Sequence, residues 1–296
     1  MTAVQVRAPI SWLVSYPKSG NTWLRILLSN FISGQDVPID INDIKLKGSI
    51  SCDRFRFDEL SGLPSSELTP DEVDSLRPFV FERAGRMAQK KHEHLFIKVH
   101  DAYYLNSNNE PLFPSNVSHG VVYIIRNPLD VAVSLAFHNG FNFKDAIKVM
   151  SKTIGPGPGY AHQQLHEITK DWSSHALSWT EQKEMAVKII RYEDLLQDTQ
   201  AVFSSVVKFL AIDGYDDVSR VKKAVDFSSF QTLRDNERLK GFRERPTEKS
   251  IFFRSGKKDD WKNHLTAKQA QKVINTHKDV MKKFGYPTDL KAYNVN

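Results

Sequence analysis

Four short apolar runs, each separated from the next by segments of helical character, constrain this chain more than any other feature. They are Trp12 to Tyr16, Leu95 to Val99, Val121 to Ile125 and Val187 to Tyr192. All four are rich in β-branched or aromatic residues and mostly apolar along their length, as expected for strands buried on both faces. After the first run, Leu24, Leu27, Leu28 and Phe31 recur at helical spacing. Thr69-Pro70 opens another helix, and Asn127-Pro128 reads as an N-cap and first helical residue. Val202, Val206, Phe209 and Leu210 mark a further one. Thr266 and Gln269 form a capping box for a last helix, which Gly285 and Pro287 end. Strands alternating with helices predict an α/β fold, a mainly parallel central sheet covered on both faces. With no internal repeat and no Pro/Ser-rich linker, residues 1–296 read as a single domain. Ligands of such sheets sit outside the carboxyl ends of the strands.

The residues that follow the strands suit anions. Ser15-Tyr16-Pro17-Lys18-Ser19-Gly20-Asn21-Thr22-Trp23 joins the first strand to the first helix. A helix N-terminus offers backbone N–H groups without internal partners, and the helix dipole favours negative charge there. Lys18 adds a full positive charge. The ATP-binding loop G-x-x-x-x-G-K-[ST] is not matched, because here the Lys precedes the Gly and no earlier Gly opens the turn. The third strand ends in Arg126, where a nucleotide hydrolase would carry an acidic Mg²⁺ ligand. Arg presents a bidentate fork to phosphate, and Ser134 on the following helix adds a hydroxyl donor. The second strand ends in Lys98-Val99-His100. Lys98 and His100 share a face by the two-residue period of a strand. A His at that position, with an ordinary pKa near 6.5, suits a general base.

Composition narrows the classes without choosing one. The formal net charge of +6 fits an anionic ligand and equally fits weak nucleic-acid binding. A single cysteine, Cys52, excludes an internal disulfide and a Cys-based zinc site. With no apolar signal core in Met1 to Pro9 and no run of ~20 apolar residues, a cytoplasmic protein without a membrane anchor is expected. Asp36 to Ser66, Asn106 to His119 and Ile154 to Tyr160 read as long loops that shape access to a site. Asp101, Glu110, Asp145 and Glu167 lie in or near such lids, where they either attract a cationic substrate or sit solvated at the surface.

Tyr16 to Trp23 resembles the 5′-phosphosulfate loop of sulfotransferases that use 3′-phosphoadenosine-5′-phosphosulfate (PAPS). Arg126-Asn127-Pro128-Leu129-Asp130-Val131-Ala132-Val133-Ser134 resembles the 3′-phosphate motif of the same family. Phe253-Arg254-Ser255-Gly256, followed by Asp260-Trp261-Lys262-Asn263, resembles its C-terminal signature. Ser255 replaces the family's Lys there, and Asp259 stands where Gly is usual. The resemblance runs from Ser15 to Thr266 and looks bacterial in type.

It implies PAPS as co-substrate, adenosine 3′,5′-bisphosphate (PAP) as product, a small-molecule acceptor sulfated on a hydroxyl or an amine, and no metal. It implies that Pro17, Lys18, Ser19, Gly20, Asn21 and Thr22 hold the 5′ end. By the same token Arg126, Ser134, Arg254, Ser255 and Gly256 serve the 3′-phosphate, and Trp23, Tyr192, Ser228 and Phe230 lie near adenine. His100 is then the base, with Lys18 and Lys98 at the transferring oxygens and Ser134 restraining Lys18. His175, on a segment resembling the substrate-side helix, packs or lines the pocket. Two other readings compete. An ATP-dependent small-molecule kinase needs Mg²⁺ ligands, for which Glu193-Asp194 is the nearest candidate. A non-enzymatic polyanion-binding protein would use Arg234, Arg238, Lys240, Arg243, Arg245 and Lys249. Neither the oligomeric state nor the identity of the acceptor follows from these residues.

Overall fold

The computed structural model describes residues 8–44, 46–152, 163–247 and 250–293. Strands β1 (Ile10–Ser15), β2 (Leu95–Val99), β3 (Ser118–Ile125) and β4 (Val187–Arg191) form one sheet in the order β2-β1-β3-β4. Every pairing is parallel, with Trp12 opposite Ile97 and Val121 at the centre. The expected α/β architecture is therefore the observed one.

Alternation along the strands divides the core in two. Trp12, Val14, Ile97, Val99, Val121 and Tyr123 point into one apolar layer. Their neighbours Leu13, Phe96, Val122, Ile124 and Ile190 point into the other. A slip of one residue would exchange the two sets, so register is strongly specified. Helices α1 (Asn21–Ser33), α2 (Arg54–Ser61) and α3 (Pro70–Lys90) precede or flank β2. α4 (Pro128–Asn139), α5 (Phe143–Met150) and α6 (Trp172–Glu181) lie between β3 and β4. After β4 come α7 (Tyr192–Gln197), α8 (Thr199–Phe209), α9 (Val218–Phe227), α10 (Phe230–Lys240) and α11 (Ala267–Lys283). Residues of α3, α4, α6 and α11 fill the Trp12 layer, and those of α1, α8 and α9 the Leu13 layer. Each buried large apolar side chain contributes roughly 1.5–3 kcal/mol relative to exposure.

The capping signals act as read. Thr69 with Glu72 and Thr266 with Gln269 form reciprocal boxes, and Asn127 accepts from Leu129 N–H before Pro128. Three expectations need correction. β4 is an edge strand, with Ile189 39% exposed, so it is buried on one side only. Its last expected residue, Tyr192, instead opens α7. Asp36 to Ser66, expected to be irregular, contains α2, capped by Asp53 and ended by Gly62 at φ 77°. Only Phe57 and Leu60 of α2 are buried, too few to show a helical period. The expected loop Ile154 to Tyr160 lies outside the described residues. No helix among the described residues is long and apolar enough to cross a membrane.

Candidate active site

The strand order places the chemistry. The residues just past the carboxyl ends of β2, β1, β3 and β4 are His100, the Tyr16–Gly20 turn, Arg126 and Tyr192, in that order across the sheet. All border one cavity of about 930 Å³. Of the residues expected at the site, Pro17, Lys18, Gly20, Asn21, Thr22, Trp23, Lys98, His100, Arg126, Ser134, Tyr192, Phe230, Arg254, Ser255 and Gly256 line it. Ser19 and Ser228 are buried behind the lining.

The turn after β1 is built around backbone geometry. Gly20 caps α1 with φ 105°, and a Cβ there would lie 2.7 Å from the Tyr192 ring. Only glycine fits both demands. The first helical bond runs from Leu24 N–H to Gly20 O at 3.2 Å, leaving the N–H groups of Asn21, Thr22 and Trp23 without helical acceptors. Asn21 donates to Leu13 O at 2.8 Å and ties the turn back to its strand. Lys18 is itself in the left-handed region, φ 69°, and its side chain turns into the cavity wall. There its Nζ donates to His138 Nδ1 at 3.2 Å and sits 4.2 Å from the centroid of the Phe252 ring. Burial, reinforced by Arg126 and Lys98, lowers the Lys18 pKa to about 7. His138, four residues beyond Ser134 on α4, is pushed down to about 4 by burial and by Lys18. It is therefore neutral and able to accept. His138 stands one helical turn beyond Ser134, and both line the cavity.

Arg126 ties two walls together. Its Nη1 donates to Lys18 O at 3.0 Å, and its guanidinium stacks 4.4 Å from the Tyr192 ring centroid. Asp130, in the first turn of α4, accepts from the N–H groups of Asp259 and Trp261. Arg254 stacks on Phe137 and is ion-paired with Asp260. Gly256 is left-handed, φ 61°, and a Cβ there would lie 2.3 Å from Phe230. Trp23 donates to Ser228 O at 2.9 Å and meets Tyr192 edge-on at 5.8 Å. Ser228 Oγ accepts from Asn30, so Ser228 braces Trp23 from behind.

His100 Nδ1 lies 2.7 Å from Ser15 O, a bond that requires the proton on Nδ1 and leaves Nε2 with its lone pair. Burial, then Lys98, holds its pKa well below the ordinary value. His175 is fully buried, bonded to Tyr123 Oη at 2.8 Å and to His100 O at 3.2 Å, and so it packs beneath the cavity and supports the backbone at His100.

Among the cavity residues that escaped sequence reasoning are His138 and Glu244. His138 was detectable as the residue one turn after Ser134. Glu244 carried no signal, since its partners lie far away in sequence. Its carboxylate accepts from Thr22 Oγ1 at 2.9 Å and pairs with Arg25. Of the four lid carboxylates, only Glu167 lines the cavity. Asp101 is buried and locked by Arg77 Nη2 at 2.6 Å, while Glu110 and Asp145 belong to local turns and caps. The Mg²⁺ candidates are spent as well. Glu193 accepts from Asn127 N–H and Tyr286 Oη, and Asp194 pairs with Arg191. The basic run splits between an α10 surface, where Lys240 pairs with Asp40, and the cavity, which Arg243 and Arg245 line. Lys249 lies outside the described residues.

A profile of the sulfotransferase domain matches residues 9–285. The chain belongs to the sulfotransferase family. It is 28% identical over 289 residues to the 3-alpha-hydroxysteroid sulfotransferase of Cavia porcellus, covering 94% of this chain and 84% of that protein. It is 25% identical over 284 residues to sulfotransferase 1E1 of Bos taurus, covering 91% and 82%. Among solved structures, mouse sulfotransferase SULT7A1 complexed with PAP superposes with a TM-score of 0.59 at 22% identity, covering 93% of this chain and 85% of that one. Retinol dehydratase complexed with androsterone and PAP gives 0.57 at 20% identity, covering 93% and 81%. These likenesses establish the fold. As a sulfotransferase, the chain transfers sulfuryl groups.

Proposed function

We propose that the protein transfers a sulfuryl group from PAPS to a small-molecule hydroxyl, with His100 as general base and Lys18 as the charge that meets the departing phosphate. The observation that carries this reading is the single cavity that joins the Lys18 turn, Arg126 and the free Nε2 side of His100. Buried polar atoms at the nucleotide end fit the donor. Ser19 Oγ and Arg126 Nε have no protein partner there. The steroid specificity in the relatives' names stays with those proteins.

PAPS supplies an activated sulfuryl group on a phosphate leaving group. His100 Nε2 takes the proton of the acceptor hydroxyl. The acceptor oxygen forms a new bond to sulfur, and the bond from sulfur to the bridging oxygen breaks. The electron pair of that broken bond stays on the 5′-phosphate of PAP. The N–H groups that open α1 and the Lys18 ammonium face that growing charge, where fixed donors are most effective. His138 anchors Lys18 within the cavity wall, and Lys98 lines the same cavity. Arg126, braced against Tyr192, meets the 3′-phosphate, with Trp23 and Phe230 against the adenine. His100→Ala is expected to lower turnover roughly 10²-fold or more, with PAP affinity nearly unchanged. Measured transfer of labelled sulfate within threefold of the parent would remove His100 from the role of base.

A further inference from the structure

Glu167 occupies an unusual position for a carboxylate. It lines the cavity that His100 also borders, and the groups that act on it are Asp101, Lys98, Arg77 and Cys52. Its backbone is fixed from both flanks. Leu165 N–H donates to Cys52 O at 2.7 Å, Ile168 N–H to Asp101 Oδ1 at 2.8 Å, and Ala102 N–H to Ile168 O at 2.7 Å. The segment carrying Glu167 therefore runs beside the residues that follow His100. Every other carboxylate near this end is committed. Asp101 belongs to Arg77, Asp74 to Arg77, His166 and Tyr104, and Glu244 to Arg25 and Thr22. Among the described residues, Glu167 has no Lys, Arg or His within ion-pair distance.

We propose that Glu167 selects the acceptor by pairing with an amino group on it, so that the natural acceptors are amine-bearing hydroxyl compounds. The inference rests on the sulfuryl-transfer reading and names its substrate class. A half-buried carboxylate without a cation beside it is costly to keep ionised. Burial and the neighbouring Asp101 raise the Glu167 pKa to about 7, against the opposing pull of Lys98 and Arg77 and a hydrogen bond with Cys52. An ammonium arriving in the cavity restores the charged form and gains a charge-assisted hydrogen bond. The remaining wall here is apolar, with Ile50, Leu135, Phe141, Val149 and Leu165 offering room for a carbon skeleton. An ammonium has no lone pair, so the group that attacks sulfur is a separate hydroxyl, presented to His100.

The test uses full-length protein saturated with PAP and two matched probes, tyramine and 4-ethylphenol, which share a phenol and differ in the amino group. Calorimetry is expected to show tyramine binding roughly tenfold or more tightly. Glu167→Gln should erase that preference while leaving PAP affinity and melting temperature unchanged. The proposal is overturned if the parent protein shows no preference for tyramine, including no binding of either probe, or if the preference survives in Glu167→Gln. The parent comparison decides even if the variant is unstable. Failure of the preceding PAP titration would strike the sulfuryl-transfer reading instead, so the two failures are distinct.

Discussion

The two ends of the cavity are built by different means. At the end proposed for the nucleotide, the turn after β1, the strand end at Arg126 and the N-terminus of α1 form the wall, and many of the donors there are backbone N–H groups. At the acceptor end, side chains converge from β2, from the segment around Cys52, from α4 and α5, and from the Gln163–Thr169 stretch. A constant anionic ligand suits rigid secondary-structure ends, because donors fixed by the fold need no reorganisation. A variable acceptor suits side chains drawn from several loops, where one substitution changes shape or charge without disturbing the sheet.

The sharpest way to break this comparison is at Lys18. If the nucleotide end is common to all reactions, Lys18→Ala lowers transfer roughly 10²-fold or more for every acceptor tested. A loss that depended strongly on acceptor would show that Lys18 serves the acceptor end instead. Labelled-sulfate transfer to an amine-bearing and a neutral alcohol separates the outcomes.

A smaller effect sharpens the comparison through protons. The Lys18 pKa of about 7 means that its ammonium is lost as pH rises through neutrality. A phosphate brought beside it raises that pKa, since opposite charge favours the charged form. PAP binding at pH 8 is therefore expected to take up close to one proton, and the uptake should shrink toward zero near pH 6. Calorimetry in buffers of different ionisation enthalpy measures this number. Uptake that persists in Lys18→Met would assign the proton to another group.

The strand-end residues were legible in the sequence for a physical reason. Lys18, Gly20, Arg126 and His100 follow strands directly, so local pattern alone predicts that they meet at the carboxyl edge. Gly20 and Gly256 explain themselves only in three dimensions, through Tyr192 and Phe230. Ser228, placed near the adenine by resemblance, accepts from Asn30 through its hydroxyl and from Trp23 through its carbonyl. The acceptor end was less legible because its decisive pairs are long-range. Asp101 was grouped with Glu167 as a possible attractor, but Arg77 comes from α3 to neutralise it. The same holds where α1 begins, since Glu244 reaches Thr22 and Arg25 across more than two hundred residues of chain. No spacing rule connects such partners. The edge position of β4 and the existence of α2 were hidden for a related reason, since few of their residues face the core.

The central claim is that two separate cationic groups, at Lys18 and Arg126, hold the two ends of an adenosine bisphosphate. Calorimetric titration of the intact protein with PAP, set beside ATP with Mg²⁺, tests it most directly. Saturable one-to-one binding of PAP, tighter than that of ATP with Mg²⁺ and weakened in Arg126→Ala, is the expected result. No heat of binding with PAP at millimolar concentration, or preferential binding of ATP with Mg²⁺, would contradict the account.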